Sequence, residues 1–298
     1  MFHGTMTALV TPFRQGQVDE DAFREHLERQ IEAGVDAVAP AGTTGEAATL
    51  SYAEHKRVIA IAVEQVRGRV PVIAGTGSNN TAESIELTQA AKALGADAAL
   101  LISPYYNKPS QEGIYQHYKA VAEAVHLPQL LYNVPGRTNS NLEPETVARL
   151  SHVSNIIGIK DATADLAQLT RMLLLCGERL EFYSGDDATT LPFMLLGGHG
   201  VISVVSNIAP RTMRQLTEAA RRGELDAARK AHYALQPLTD AMFTQSNPIP
   251  VKAACALLGW MDGELRLPLT PLPDDEVQAL REVMLGFRSD VESLVVSK

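Results

Sequence analysis

Eight short apolar runs, each followed by a segment of helical pattern, predict a (β/α)8 barrel for this 298-residue chain. Two further observations point the same way. No shift in composition divides the chain before about residue 220. The segments closing the apolar runs are also rich in glycine, hydroxyl and aromatic residues, whereas the opposite ends, such as Gly34-Val35 and Leu94-Gly95-Ala96, are plain helix stops. A doubly wound sheet is the alternative architecture.

In order, the first run is Thr5–Val10, with a helix over Asp19–Ala33. Ala37–Ala39 precedes a helix opening at Ser51, where Ser51-Tyr52-Ala53-Glu54 is a capping box. Val70–Ala74 leads to a helix over Thr81–Leu94, Ala98–Ser103 to one over Gln111–Val125, and Gln129–Asn133 to one over Glu145–Leu150. The sixth run, Asn155-Ile156-Ile157-Gly158-Ile159, closes on Lys160 and precedes a helix over Leu166–Leu175. Leu180–Ser184 is followed by Thr189–Leu196, and Val201–Val205 by a helix from Pro210. The barrel is assigned to residues 1–223. Residues 224–298 are helical in pattern and punctuated by Pro237, Pro248, Pro250, Pro268, Pro271 and Pro273, so they form a C-terminal helical domain or pack on the barrel.

Composition excludes several classes. A net charge of −9 without a basic stripe argues against nucleic acid. No apolar run reaches the roughly 18 residues a bilayer span needs, and the first residues lack the basic-then-apolar pattern of a signal peptide. Cys176 and Cys255 lie in apolar helical stretches, as buried free thiols do in a reducing compartment, which makes the cytoplasm the expected location. The eight histidines are scattered without ligand spacing, so no metal is expected. Gly75-Thr76-Gly77-Ser78-Asn79-Asn80 lacks the third glycine of a dinucleotide fingerprint.

Lys160 is the residue to explain. A lysine closing a dry strand either reaches water, pairs with a neighbour such as Asp161, or is held as a neutral amine, and a neutral amine attacks carbonyls. In a (β/α)8 barrel the strand ends carry the chemistry, so the other strand-end groups bear on the choice. Gly42-Thr43-Thr44-Gly45 offers backbone N–H groups and two hydroxyls, a nest for a small anion, or else a connecting turn. Tyr132 and Arg137 follow one strand; a phenol relays protons and a guanidinium grips a carboxylate, though a packed tyrosine and a surface arginine are the ordinary alternative. Tyr105-Tyr106 is the pattern of an interface pair.

Taken together, Gly42-Thr43-Thr44-Gly45-Glu46, Tyr132-Asn133-Val134-Pro135 with Arg137-Thr138, and Gly158-Ile159-Lys160-Asp161 resemble the pyruvate-dependent class I aldolases, the superfamily that includes the N-acetylneuraminate lyases. The resemblance extends to Pro104-Tyr105-Tyr106-Asn107-Lys108-Pro109, Ser184-Gly185-Asp186-Asp187 and Asn247-Pro248-Ile249-Pro250-Val251-Lys252. Within that superfamily the chain is similar to the dihydrodipicolinate synthases, which implies condensation of pyruvate with L-aspartate 4-semialdehyde, in lysine and diaminopimelate synthesis, with no metal or organic cofactor. It further implies that Lys160 forms the imine, that Tyr132 and Thr43 relay protons, and that Thr44 faces the pyruvate carboxylate, although the sequence leaves open which hydroxyl faces which phenol. Tyr106 would reach across a subunit interface, Gly185 and Ile202 would give backbone contacts, and Arg137 would hold the second substrate's carboxylate. Arg137 separates this reading from the sugar-acid aldolases, where that position is usually apolar. A non-catalytic barrel sensing pyruvate or lysine would be expected to lack Lys160, Tyr132 or Arg137. The assembly implied is a homotetramer, a dimer of dimers. A feedback site for L-lysine would use Ala48, His55, Asn79, Glu83 and Tyr105, with Ala47 and Tyr52 departing from the usual pattern.

Overall fold

The computed structural model describes residues 2–287, so the predicted C-terminal segment beyond Phe287 lies outside the described residues. Eight parallel strands alternate with helices. They are β1 (Gly4–Ala8), β2 (Ala37–Ala39), β3 (Ile73–Gly75), β4 (Ala98–Ile102), β5 (Gln129–Asn133), β6 (Ile156–Asp161), β7 (Glu181–Ser184) and β8 (Gly200–Ser203). They hydrogen-bond in the order β2-β1-β8-β7-β6-β5-β4-β3, and a bridge between Val38 and Val72 joins β2 to the residue before β3. The sheet thus curls into a nearly closed barrel. The intervening helices are α1 (Glu20–Glu32), α2 (Tyr52–Val66), α3 (Thr81–Leu94), α4 (Gln111–Ala124), α5 (Pro144–Leu150), α6 (Leu166–Cys176), α7 (Thr190–Leu195) and α8 (Pro210–Arg222).

Alternation along the strands fills the barrel. Met6, Ala8, Ala37, Ala39, Ile73, Ala98, Leu100, Leu130, Tyr132, Tyr183 and Ile202 form one buried cluster inside it. The outward residues of the same strands pack under the helices, as Leu101, Leu131, Ile159 and Phe182 do against Tyr118, Val147, Leu169 and Met172. Two glycines bring neighbouring strands together: a Cβ on Gly200 would stand 2.1 Å from the Gly4 carbonyl oxygen, and one on Gly158 would stand 2.7 Å from that of Glu181.

The strand limits differ from the sequence reading where a local bond intervenes. Pro71 has no N–H to give the ladder, so the third strand begins later, at Ile73. The eighth ends at Ser203 because the buried Asp187 carboxylate takes the N–H groups of Val204 and Val205, at 2.9 and 3.3 Å, and turns the chain into a 3-10 turn. Two small elements escape the pattern altogether. Phe13–Arg14 and Gln17–Val18 make a hairpin around Gln15 and Gly16, both at positive φ, and Pro135–Thr138 forms one helical turn.

Beyond Arg222 come α9 (Leu225–Met242), α10 (Ile249–Leu257) and α11 (Asp274–Gly286). Their apolar faces share a core with the barrel's Val201, Val204, Leu191 and Met213, so this extension packs on the barrel wall beside β8. The capping box opening α2 is formed, Ser51 taking the Glu54 N–H and Glu54 taking that of Ser51. Arg266 of the extension then grips the same Glu54 at 2.5 Å. Cys176 and Cys255 are both buried and unbridged. Among the described residues no helix is long and apolar enough to cross a membrane.

Candidate active site

Strand pairing sets the centre of the site. Lys160 is the penultimate residue of β6, and its register partners are Tyr132 on β5 and Tyr183 on β7. Because side chains alternate, Lys160 points into the barrel while Asp161 points out. Lys160 is only 4% exposed, and its Nζ stands 4.4 Å from the centre of the Tyr132 ring. No carboxylate pairs with it among the described residues. Asp161 is engaged elsewhere, accepting from Asn133 Nδ2 at 3.2 Å and from Thr163 Oγ1 at 2.9 Å. The ion-pair alternative for this lysine therefore fails, and its amine remains uncommitted beside a phenol.

Asp161 has its own signature. Burial raises its carboxyl to about 6, against the pull of the Thr163 and Asn133 hydrogen bonds. Between about pH 4 and 6 the folded chain thus keeps a proton that the unfolded chain has lost. This group's contribution to stability falls as pH rises through that window and is constant above it. Asp161→Asn should remove the effect. In urea melts, wild-type stability minus variant stability is expected to fall by roughly 3 kcal/mol from pH 4 to 6 and to level off by pH 7; a flat difference would contradict it.

Gly185 closes on the lysine from β7. A Cβ there would lie 2.9 Å from Lys160 Cε, 3.1 Å from its Cγ and 2.7 Å from the Ala162 Cβ. Gly185→Ala should therefore displace the amine. Displacements of about an ångström at a reacting group cost on the order of 100-fold in rate, so kcat is expected to fall by about that factor with the melting temperature little changed. Unaltered kcat would show that the lysine tolerates the shift.

The Gly42–Glu46 loop follows β2. Glu46 N–H bonds back to Thr43 O at 3.1 Å, and Ala47 N–H to Gly42 O at 3.2 Å. The N–H groups of Gly42, Thr43, Thr44 and Gly45 meet no acceptor among the described residues, as an anion nest requires. Glu46 sits at φ 54° and turns its carboxylate inward onto Lys252 of α10 at 2.5 Å, the two side chains being 1% and 0% exposed. A cavity of about 560 Å³ opens in front of the loop, lined by Thr43, Tyr132, Arg137, Ile102 and Asn247. Arg137, on the Pro135–Thr138 turn, is exposed and gives one Nη2 hydrogen bond to the Asn247 carbonyl at 3.0 Å.

Thr44 is buried and accepts from Asn247 Nδ2 at 3.0 Å. Ile202 is fully buried in the barrel interior with Tyr132. Tyr106 is the residue this chain does not gather in: it lies in the loop after β4, at φ 70°, and is 90% exposed.

The same cavity runs on to Ala48, His55, Glu83 and Tyr105 of the expected lysine site. His55 is buried and donates to the Gly75 carbonyl at 2.7 Å, and burial lowers its pKa. Asn79 does not line the cavity and instead donates to the Tyr105 carbonyl at 3.1 Å. Glu83 accepts from Ser78 Oγ at 2.8 Å, so it does not close a capping box with Asn80. Among the described residues no three His, Cys, Asp or Glu side chains group to hold a metal ion.

A match to the model of the dihydrodipicolinate synthetase family covers residues 1–285. The chain belongs to that family. Similar proteins include the 4-hydroxy-tetrahydrodipicolinate synthase of Geobacter sp. (strain M21), 57% identical over 97% of this chain and 99% of that one. Among solved structures, the Acinetobacter baumannii dihydrodipicolinate synthase complexed with pyruvate is 46% identical with a TM-score of 0.95, covering 96% of this chain and 100% of that one. The Cyanidioschyzon merolae enzyme with lysine bound is 42% identical with a TM-score of 0.93, covering 95% and 97%. Dihydrodipicolinate synthetase family membership agrees with the barrel. Asn247, Glu46 and Lys252 were legible only as parts of motifs, without roles. The signal for the last pair was a lysine inside the otherwise apolar Val251–Leu258 run, a position that demands a buried partner.

Proposed function

We infer that this protein is a carbon–carbon bond-forming lyase, a 4-hydroxy-tetrahydrodipicolinate synthase condensing pyruvate with L-aspartate 4-semialdehyde in lysine and diaminopimelate synthesis. The observation that carries the reading is the buried, unpaired Lys160 amine lying over the Tyr132 ring at the mouth of the barrel.

Lys160 Nζ adds to the keto carbon of pyruvate and water leaves, forming an imine. The imine nitrogen draws electrons, so a methyl proton is lost and an enamine forms. The enamine carbon attacks the aldehyde carbon of the second substrate, whose oxygen takes a proton. That substrate's own amine then attacks the imine carbon, displacing Lys160 and closing the ring. Tyr132, with Thr43 across the cavity, moves the protons. Thr44 and the free N–H groups of its loop hold the pyruvate carboxylate, and the Arg137 donors not committed to Asn247 take the carboxylate of the semialdehyde. Gly185 and Ile202 shape the wall around the imine. All the bonds that form and break use atoms of the substrates and of Lys160, so neither metal nor organic cofactor enters the scheme.

Tyr106, solvent-facing in the single chain, completes the site of a second copy, in a homotetramer built as a dimer of dimers in the cytoplasm. L-Lysine binds as an inhibitor in the continuation of the cavity at His55, Glu83 and Tyr105, with Ala48 and Asn79 at its edge, and millimolar lysine in the rate assay checks this. The decisive experiment offers pyruvate with L-aspartate 4-semialdehyde, and separately N-acetylneuraminate, to the purified protein. Turnover of the first pair alone is expected; cleavage of the sugar acid alone would overturn the assignment.

A further inference from the structure

Asn247 stands just ahead of α10, 6% exposed, and is bonded to two groups the proposed chemistry needs. Its side-chain Nδ2 donates to Thr44 Oγ1, and its backbone carbonyl accepts from Arg137 Nη2, both at 3.0 Å. Its Oδ1 is buried with no partner among the described residues. The bond from Nδ2 to Thr44 is thus the one hydrogen bond that this side chain makes among the described residues.

We propose that Asn247 is a positioning residue that sets the polarity of the Thr44 hydroxyl. A hydroxyl has one proton and can accept two hydrogen bonds. Nδ2–H already occupies an acceptor direction of Thr44 Oγ1, and no protein acceptor takes the Thr44 proton among the described residues. That proton is left to donate, which is the polarity a substrate carboxylate requires. The inference rests on the reading of Thr44 as the pyruvate anchor. It adds that one residue of the extension serves the two substrates by different means: pyruvate through its side chain, the semialdehyde through its backbone.

The difference makes a test that a simple brace would fail. Asn247→Asp keeps the size and the backbone carbonyl but replaces the donor with an acceptor, so Thr44 turns its proton onto Asp and away from pyruvate. Asn247→Ala leaves that proton free. In the full-length enzyme, KM for pyruvate, and the pyruvate concentration needed for half-maximal borohydride trapping, are expected to rise 10-fold or more in Asn247→Asp. The rise in Asn247→Ala should be about 2–5-fold, because loss of a charge-assisted hydrogen bond is on the order of 10- to 100-fold whereas loss of its orienting partner is less. KM for the semialdehyde should move less than about 3-fold in both, since Arg137 keeps its carbonyl partner.

In a Thr44→Val background the Asp substitution should add little, which separates polarity from mere charge repulsion. Equal pyruvate losses in the two variants, a semialdehyde KM rising in step, or an Asp effect that persists with Thr44→Val would each overturn the proposal. Should Asn247→Asp fail to fold, Asn247→Ala combined with Thr44→Val decides: additive losses refute the link between the residues. Absence of pyruvate trapping in the unaltered protein would instead remove the synthase reading itself, a separate outcome.

Discussion

Lys160→Ala is expected to lower kcat/KM by at least about 10⁴-fold, the scale seen when a covalent nucleophile is removed from an otherwise intact site. The size of the effect follows from the mechanism rather than from binding. Without the amine there is no imine, and without the imine the pyruvate methyl group has no electron sink; among the described residues Lys160 is the one amine placed over the Tyr132 ring. The fold should not suffer. Among the described residues Lys160 makes no ion pair that its removal would orphan, and Asp161 beside it keeps its bonds to Asn133 and Thr163. The melting temperature is therefore expected to hold while activity disappears. Borohydride added with pyruvate should attach the pyruvate carbons to the Lys160 peptide in the unaltered protein and to no peptide in the variant. Variant activity above about 1% of the parent would show that the chemistry runs without this amine, contrary to the scale expected.

The barrel was legible because eight apolar runs alternate with helical segments, a pattern shared with the doubly wound sheet until the strands are paired, and Lys160, Tyr132 and Thr43 were singled out because they lie at or just beyond the ends of such runs. Their convergence follows from register: Tyr132 and Lys160 are paired residues on adjacent parallel strands, so naming the strands nearly named the pair. What escaped were contacts between segments far apart in the chain. Asn247 meets Thr44 across 203 positions, and Lys252 meets Glu46 across 206. Neither periodicity nor turn chemistry encodes such a meeting, because it depends on how the extension drapes over the barrel. The same holds for Tyr106, whose residue type suggests an interface but whose 90% exposure only the folded chain reveals. The Phe13–Val18 hairpin was missed for a different reason: strands of two residues are too short for alternation to register.

The largest stability effect is expected at the contact between Lys252 and Glu46. Both side chains are essentially inaccessible, and their charged atoms are 2.5 Å apart. Lys252 Nζ also lies 4.0 Å from the centre of the Phe13 ring, with Arg266 Cζ 4.3 Å from the same ring. Burial draws the lysine below its ordinary pKa, and Glu46 is the main influence opposing that. Lys252→Met preserves the length and apolar stem of the side chain but leaves the Glu46 carboxylate dry, with the Arg266 N–H at 3.2 Å its one remaining donor among the described residues. Breaking one side of such a pair typically costs about 3–5 kcal/mol, which for a chain of this size lowers the melting temperature by on the order of 10 °C. Activity should fall as well at temperatures where the variant is folded, because Glu46 ends the loop that carries Thr43 and Thr44. Adding Glu46→Gln removes the stranded charge, so the double variant is expected to regain most of the lost melting temperature. A double variant as unstable as Lys252→Met alone would place the loss in packing around Phe13 rather than in the unpaired carboxylate, and calorimetry on the two variants side by side distinguishes these causes.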